Sequence, residues 1–213
     1  MEYFKRVQNL DTCLHSRLDY ETGEPIYDDH YKNLQMDCIG LYVIQLVQMI
    51  HSGLQIVYTK DEVAFVQNLV FYLERAYRSV DQHSARVNKN PISICMAKAA
   101  LESVAGFNIY GYEGGHSSIL FMDADAHSRN RIIMTNLLPR ESASKGTDAS
   151  LIPSLCWPAY GTCSTSTRLP ALERCLERLK GVYGFKRFTR DGYATVLDTN
   201  SEYQPGELMV CCS

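Results

Sequence analysis

The sequence predicts an all-α fold, and three observations carry that prediction. Apolar residues recur every three or four positions through Met36, Ile39, Val43, Leu46 and Ile50, and again through Val63, Val66, Val70, Leu73 and Tyr77. That spacing lays one apolar stripe along a helix. Thr59-x-x-Glu62 has the form of a capping box, in which hydroxyl and carboxylate each satisfy an orphan backbone N–H. Pro91 and Gly106, then Pro170 and Gly181, stand where helices open and close.

Taken in order, residues 1–33 are polar and mixed, with a turn at Glu21-Thr-Gly-Glu-Pro25, and read as a leader loop. The first helix starts at Met36 and is stopped by His51-Ser-Gly53. The second follows the capping box, and Ser79–Asn90 is a polar linker behind it. A third helix, opened by Pro91, carries Ile94, Ala97, Leu101 and Val104 and closes at Gly106. Gly111-Tyr-Glu-Gly-Gly115 is a turn. Ile119-Leu-Phe-Met122 reads either as a short strand or as a buried connector. Asp123 or Asp125 caps a fourth helix bearing Ile132, Ile133 and Leu137 that must stop before Pro139. The fifth starts near Ser166 or Thr167, takes Pro170 into its first turn, buries Leu172, Leu176 and Leu179, and ends at Gly181.

Bulk properties narrow the function classes. A chain of 213 residues, 46% apolar, makes one domain or part of one. Its 21 basic and 24 acidic residues give a net charge of −3 with no basic block, which argues against nucleic acid as a partner. The eight cysteines (Cys13, Cys38, Cys95, Cys156, Cys163, Cys175, Cys211 and Cys212) form no C-x-x-C pair, and several sit in apolar helical patterns. They read as reduced thiols of a cytoplasmic protein. Met1-Glu-Tyr-Phe-Lys-Arg lacks the apolar stretch of a signal peptide, and the run from Ile39 to Ile50 is too short, and too interrupted by Gly40, Gln45 and Gln48, to span a bilayer. The terminal Val210-Cys-Cys-Ser213 is not a C-a-a-X prenylation box, because Val210 occupies the position that needs cysteine.

No motif points to a metal or a cofactor. The six histidines lack H-x-x-x-H and H-E-x-x-H spacing, and there is no P-loop, nucleophile elbow or G-x-G-x-x-G. The site candidates are polar. Gln35 and Asp37, at the head of the first helix, either line a cavity or satisfy that helix's N-terminus. In Tyr183–Tyr193, Lys186, Arg187, Arg190 and Asp191 alternate with Phe185, Phe188 and Tyr193, the mixture that stacks on sugar rings and binds hydroxyls. The alternative there is an Arg–Asp pair that locks its own turn. Gln35, Asp37, Arg187, Arg190 and Asp191 are thus the candidate carbohydrate pocket. Glycoside hydrolysis needs two carboxyl groups, one held protonated. Asp37, Glu141, Asp148 and Asp191 all lie beside helix termini or basic residues, settings that favour the ionised form.

Several segments together carry a family resemblance. Leu34-Gln-Met-Asp37, Ser52-Gly-Leu-Gln-Ile56, Asp61–Glu74, Met96-Ala-Lys-Ala-Ala-Leu-Glu102, Leu137-Leu-Pro-Arg-Glu-Ser142, Thr147-Asp-Ala-Ser-Leu151 and Tyr183–Tyr193 resemble the regulatory subunits of phosphorylase b kinase. Gly106-Phe-Asn-Ile-Tyr-Gly111 and Asp123–Arg131 are closer to the beta than to the alpha type.

The resemblance implies a glucoamylase-like domain, here an incomplete (α/α)₆ toroid of helical hairpins over residues 34–208, with 209–213 as an atypical tail. It implies a non-catalytic subunit that restrains a kinase catalytic subunit in glycogen breakdown, in a complex with the other regulatory subunit and calmodulin. It also implies association with the cytoplasmic face of the membrane through prenylation, in family regions that this sequence does not match.

Two departures stand out. The family's Trp-Glu-Arg-Gly segment, aligned with the glucoamylase general acid, has no counterpart in Ser79–Asn90, which contains neither Trp nor Glu. The opening hairpins of the toroid, including a Trp-x-Arg-Asp segment, are also missing, so the chain is expected to be a fragment with exposed apolar helix faces. A glucoamylase-like hydrolase or an oligosaccharide-binding protein is the alternative function.

Overall fold

The computed structural model describes residues 2–8, 12–14, 18–26, 36–76, 91–137, 147–149, 151–157, 159, 165–186 and 209–210. It divides into two compact units, Met1–Asn136 and Leu137–Ser213. The elements of the first are α1 (Glu2–Val7), α2 (Met36–His51), α3 (Lys60–Ala76), α4 (Pro91–Val104) and α5 (Ala124–Leu137), whose last residue opens the second. The second contains α6 (Leu151–Leu155), α7 (Thr165–Leu179), β1 (Phe185–Lys186) and β2 (Met209–Val210). The all-α class stands.

In the first unit α4 is the central helix. Every side chain from Ser93 to Leu101 is buried, with Ile94, Ala97, Leu101 and Val104 facing inward as their spacing predicts. Burial on all sides explains why its apolar stripe is weakly marked in the sequence. Its most extensive partner is α2, which buries Met36, Gly40, Val43, Ile44, Leu46, Val47 and Ile50.

Gly40 is what lets these two helices approach, because a Cβ there would lie 2.8 Å from the backbone carbonyl carbon of Met96. The one buried charge of α4, Lys98, is 1% exposed and pairs one turn on with Glu102 of the same helix. The ammonium thereby keeps a counter-ion at the edge of the core.

The capping box before α3 is formed as expected. Glu62 Oε2 accepts the backbone N–H groups of Tyr58 and Thr59, both at 2.8 Å, and Thr59 Oγ1 accepts Glu62 N at 3.2 Å. α3 then buries Val66, Leu69, Val70, Tyr72, Leu73, Glu74 and Ala76.

Several sequence expectations are corrected. The stretch read as a leader loop contains α1, whose Phe4 is buried with its ring centroid 4.7 Å from that of Tyr72. Six residues with one buried aromatic carry no helical period to read. Residues 119–122 are neither strand nor buried connector. Ile119 makes a single bridge to Asn108, Leu120 is buried, and Ile119 and Phe121 are exposed. In α5, capped by Asp123, Ile132 is 61% exposed, and Ala126, Asn130 and Met134 form the buried stripe instead.

The second unit packs Leu151, Leu155, Cys175 and Leu179 together, with Ala149, Leu172 and Phe185 against them. Leu176, expected inside, is 46% exposed, because Cys175 takes the inward position one residue earlier. A thiol serving as a small hydrophobe displaced the leucine. β1 and β2 are antiparallel, with Phe185 opposite Val210 and Lys186 opposite Met209, so Met209–Val210 of the atypical tail continues a two-stranded ladder.

Candidate functional site

Of the five pocket candidates, Asp37 alone lies among the described residues; Gln35, Arg187, Arg190 and Asp191 lie outside them. Asp37 stands in the first turn of α2, half-buried, and its Oδ1 accepts the backbone N–H of Cys38 at 3.0 Å. That is the helix N-terminus role, with the second carboxylate oxygen still available. Asp148 is buried just ahead of α6, and its carbonyl accepts Leu151 N at 3.1 Å. Glu141 and the linker Ser79–Asn90 lie outside the described residues.

The first unit contains a carboxyl group that the sequence did not single out. Glu74, near the end of α3, is 3% exposed, and burial pushes its pKa above the ordinary carboxylate range. The Asp123 backbone N–H and the Arg75 guanidinium pull the other way, at 2.6 Å from Oε1 and 3.4 Å from Oε2.

Asp123 in turn caps α5 through Asp125 N at 2.9 Å and pairs with Arg129 at 3.4 Å. A raised pKa is what a general acid requires. Glu74, however, is enclosed and bonded to the backbone that starts α5, so its carboxyl ties two helices together. The signal for it, a charge inside the Leu69–Ala76 apolar stripe, is indistinguishable in sequence from an exposed residue beside it.

A polar cleft of about 440 Å³ lies at the other end of the α2–α3 hairpin, lined by Tyr58, Lys60, Val63, Tyr110, His116, Ser117 and Ser118. Asn108 builds the wall that the last four provide. Its Nδ2 donates to the carbonyls of Gly111, at 3.0 Å, and His116, and its Oδ1 accepts Tyr110 N at 3.2 Å and Ser118 N at 2.9 Å. Ile109 N donates to Ser118 O at 2.9 Å, and the rings of Tyr110 and His116 meet edge-on at 5.7 Å.

A separate apolar groove of about 390 Å³ runs between Leu14, Cys38, Ile39, Tyr42, Phe65 and Leu69, with Asn68 as its polar member. Among the described residues no three His, Cys, Asp or Glu side chains are grouped to hold a metal, and no helix is long and apolar enough to cross a membrane.

Comparison with known proteins adds what the geometry does not. The glycosyl hydrolases family 15 profile matches residues 1–198. The probable phosphorylase b kinase regulatory subunit beta of Drosophila melanogaster is 46% identical over 98% of this chain and 20% of its own length. The probable alpha subunit of the same organism is 39% identical over 92% of this chain and 16% of its own length. The skeletal muscle alpha isoform of Oryctolagus cuniculus is 36% identical over 98% and 18%. The chain therefore spans about a fifth of the length of these curated relatives.

Proposed function

The chain belongs to glycosyl hydrolases family 15, and from that premise we propose that it is a regulatory segment of the phosphorylase kinase type, acting on a kinase catalytic subunit in glycogen breakdown rather than cleaving sugar. The observation that carries this reading is the 46% identity, over nearly the whole chain, to a protein named as a beta regulatory subunit. The kinase catalytic subunit, the other regulatory subunit and calmodulin are its proposed partners. The half-exposed Tyr42 and Phe65 beside the apolar groove suit contacts with protein.

Absence of hydrolysis is part of the same proposal. Ser79–Asn90 offers neither Trp nor Glu where the resemblance expects the proton donor. Glu74, the one carboxyl group among the described residues whose pKa is raised, is closed off from solvent. A retained oligosaccharide pocket at Gln35, Asp37, Arg187, Arg190 and Asp191 is a subsidiary proposal. Calorimetry with maltooligosaccharides tests it, and no heat at millimolar ligand would end it.

The regulatory role is tested by assaying a phosphorylase kinase catalytic subunit on glycogen phosphorylase with and without the 213-residue chain. The expected result is a lowered rate that saturates with added chain. An unchanged rate, together with glucose release from maltooligosaccharides, would favour the hydrolase reading instead.

A further inference from the structure

We propose that the polar cleft between the start of α3 and the 108–118 loop binds a phosphate monoester. Its walls place an ammonium, an imidazole and two hydroxyls around one space of about 440 Å³: Lys60, His116, Ser117 and Ser118, with Tyr58 and Tyr110 as aromatic sides. Among the described residues the Lys60 ammonium makes no ion pair, and the hydroxyls of Ser117 and Ser118 make no hydrogen bond.

The carboxylate of the capping box is already engaged, since Glu62 accepts the N–H groups of Tyr58 and Thr59. Residues bearing an ammonium, an imidazole and two hydroxyls along one cleft are complementary to a doubly charged group with three acceptor oxygens. The rings of Tyr58 and Tyr110 give the carbon part of the alcohol an apolar side to lie against.

The cleft is built before any ligand arrives. Four hydrogen bonds from the Asn108 side chain fix the loop that carries Tyr110, His116, Ser117 and Ser118. Tyr58 is held by its hydroxyl, which donates to Gln55 O at 2.6 Å. Gly111 packs against Ile50 near the end of α2, and Ile50 lies fourteen residues from Met36. The cleft is thus about 20 Å along α2 from Asp37, the one described member of the proposed oligosaccharide pocket.

Titration calorimetry at low salt on the 213-residue chain tests the proposal, using glucose 6-phosphate, a phosphoserine peptide, free glucose and inorganic phosphate as probes. At least one monoester is expected to bind, about tenfold or more tighter than free glucose, with Lys60→Gln and Ser117→Ala each weakening it. Lys60→Gln should cost about tenfold. Lys5→Gln, on α1 at the far end of α3, should leave the affinity unchanged.

Preference for glucose 6-phosphate identifies a metabolite as the source of the phosphate, and preference for the peptide identifies a modified side chain; either supports the site. Failure of both monoesters to bind at millimolar concentration would overturn it. So would binding that is equally tight in the Lys60→Gln chain while its circular dichroism matches the parent.

Discussion

Gln67 holds Phe121 as a neighbouring strand would: its Nε2 donates to the Phe121 carbonyl at 2.8 Å while its Oε1 accepts the Phe121 N–H at 2.7 Å. One side-chain amide thereby satisfies both backbone groups of a residue in an irregular segment. The two rings nearby, Phe71 and Phe121, sit 6.3 Å apart and brace the same stretch. The segment leads from the polar cleft at Ser118 to the α5 cap at Asp123, so its course along α3 fixes both.

Replacing Gln67 by Ala should therefore cost about 1–2 kcal/mol, because two hydrogen bonds are lost at a partly solvated site. Urea unfolding measures the cost. Protection of the Phe121 amide from hydrogen exchange should fall in parallel, and a variant that keeps that protection would show that the pairing adds nothing.

Gly40→Ala pits helix propensity against packing. Alanine would favour the helix by up to about 1 kcal/mol, yet its Cβ would meet the Met96 backbone at 2.8 Å. We predict a net loss of about 1–3 kcal/mol from overpacking. Gly115→Ala, where nothing lies within 4 Å of the added Cβ, should change stability by less than about 0.5 kcal/mol. Equal midpoints for the two variants would contradict the close α2–α4 approach.

Two glutamates should respond to pH with opposite signs. Burial raises the Glu74 pKa above its ordinary 4.5, so between the unfolded and folded values the native state holds the extra proton and stability falls as pH rises. Glu74→Gln keeps an acceptor for Asp123 N and should flatten that fall. The Glu62 pKa is lowered, chiefly by the Tyr58 N–H and then by that of Thr59. Its contribution is present above 4.5 and is lost as pH drops through the lowered value, and Glu62→Gln should remove that acid-side loss. Denaturation midpoints between about pH 3 and 8 read both slopes.

The helices were legible where the chain declares its own boundaries. The Thr59–Glu62 box, the Pro91 start and the Gly106 stop are local chemistry, and each appears where the sequence put it, while the α5 cap is Asp123, one of the two aspartates the sequence offered. What the sequence did not reveal depends on partners far along the chain. Gly40 read as an interruption, whereas it is the contact through which α2 meets Met96. Glu74 was not singled out, because the Asp123 backbone N–H that it accepts lies 49 positions along the chain.

The polar cleft was invisible for the same reason. Lys60 and His116 are 56 positions apart, and Asn108 brings the second to the first by bonds to backbone groups that leave no pattern in residue type. Of the candidate oligosaccharide pocket, Asp37 accepts the Cys38 N–H in the first turn of α2.

The most direct test of the regulatory reading is co-purification: the tagged 213-residue chain co-expressed with a phosphorylase kinase catalytic subunit and calmodulin, and the mass of the eluted species measured by light scattering. The account predicts a complex containing the kinase subunit in fixed ratio to the chain. Elution of the folded chain by itself, with the kinase subunit left in the flow-through, would contradict it.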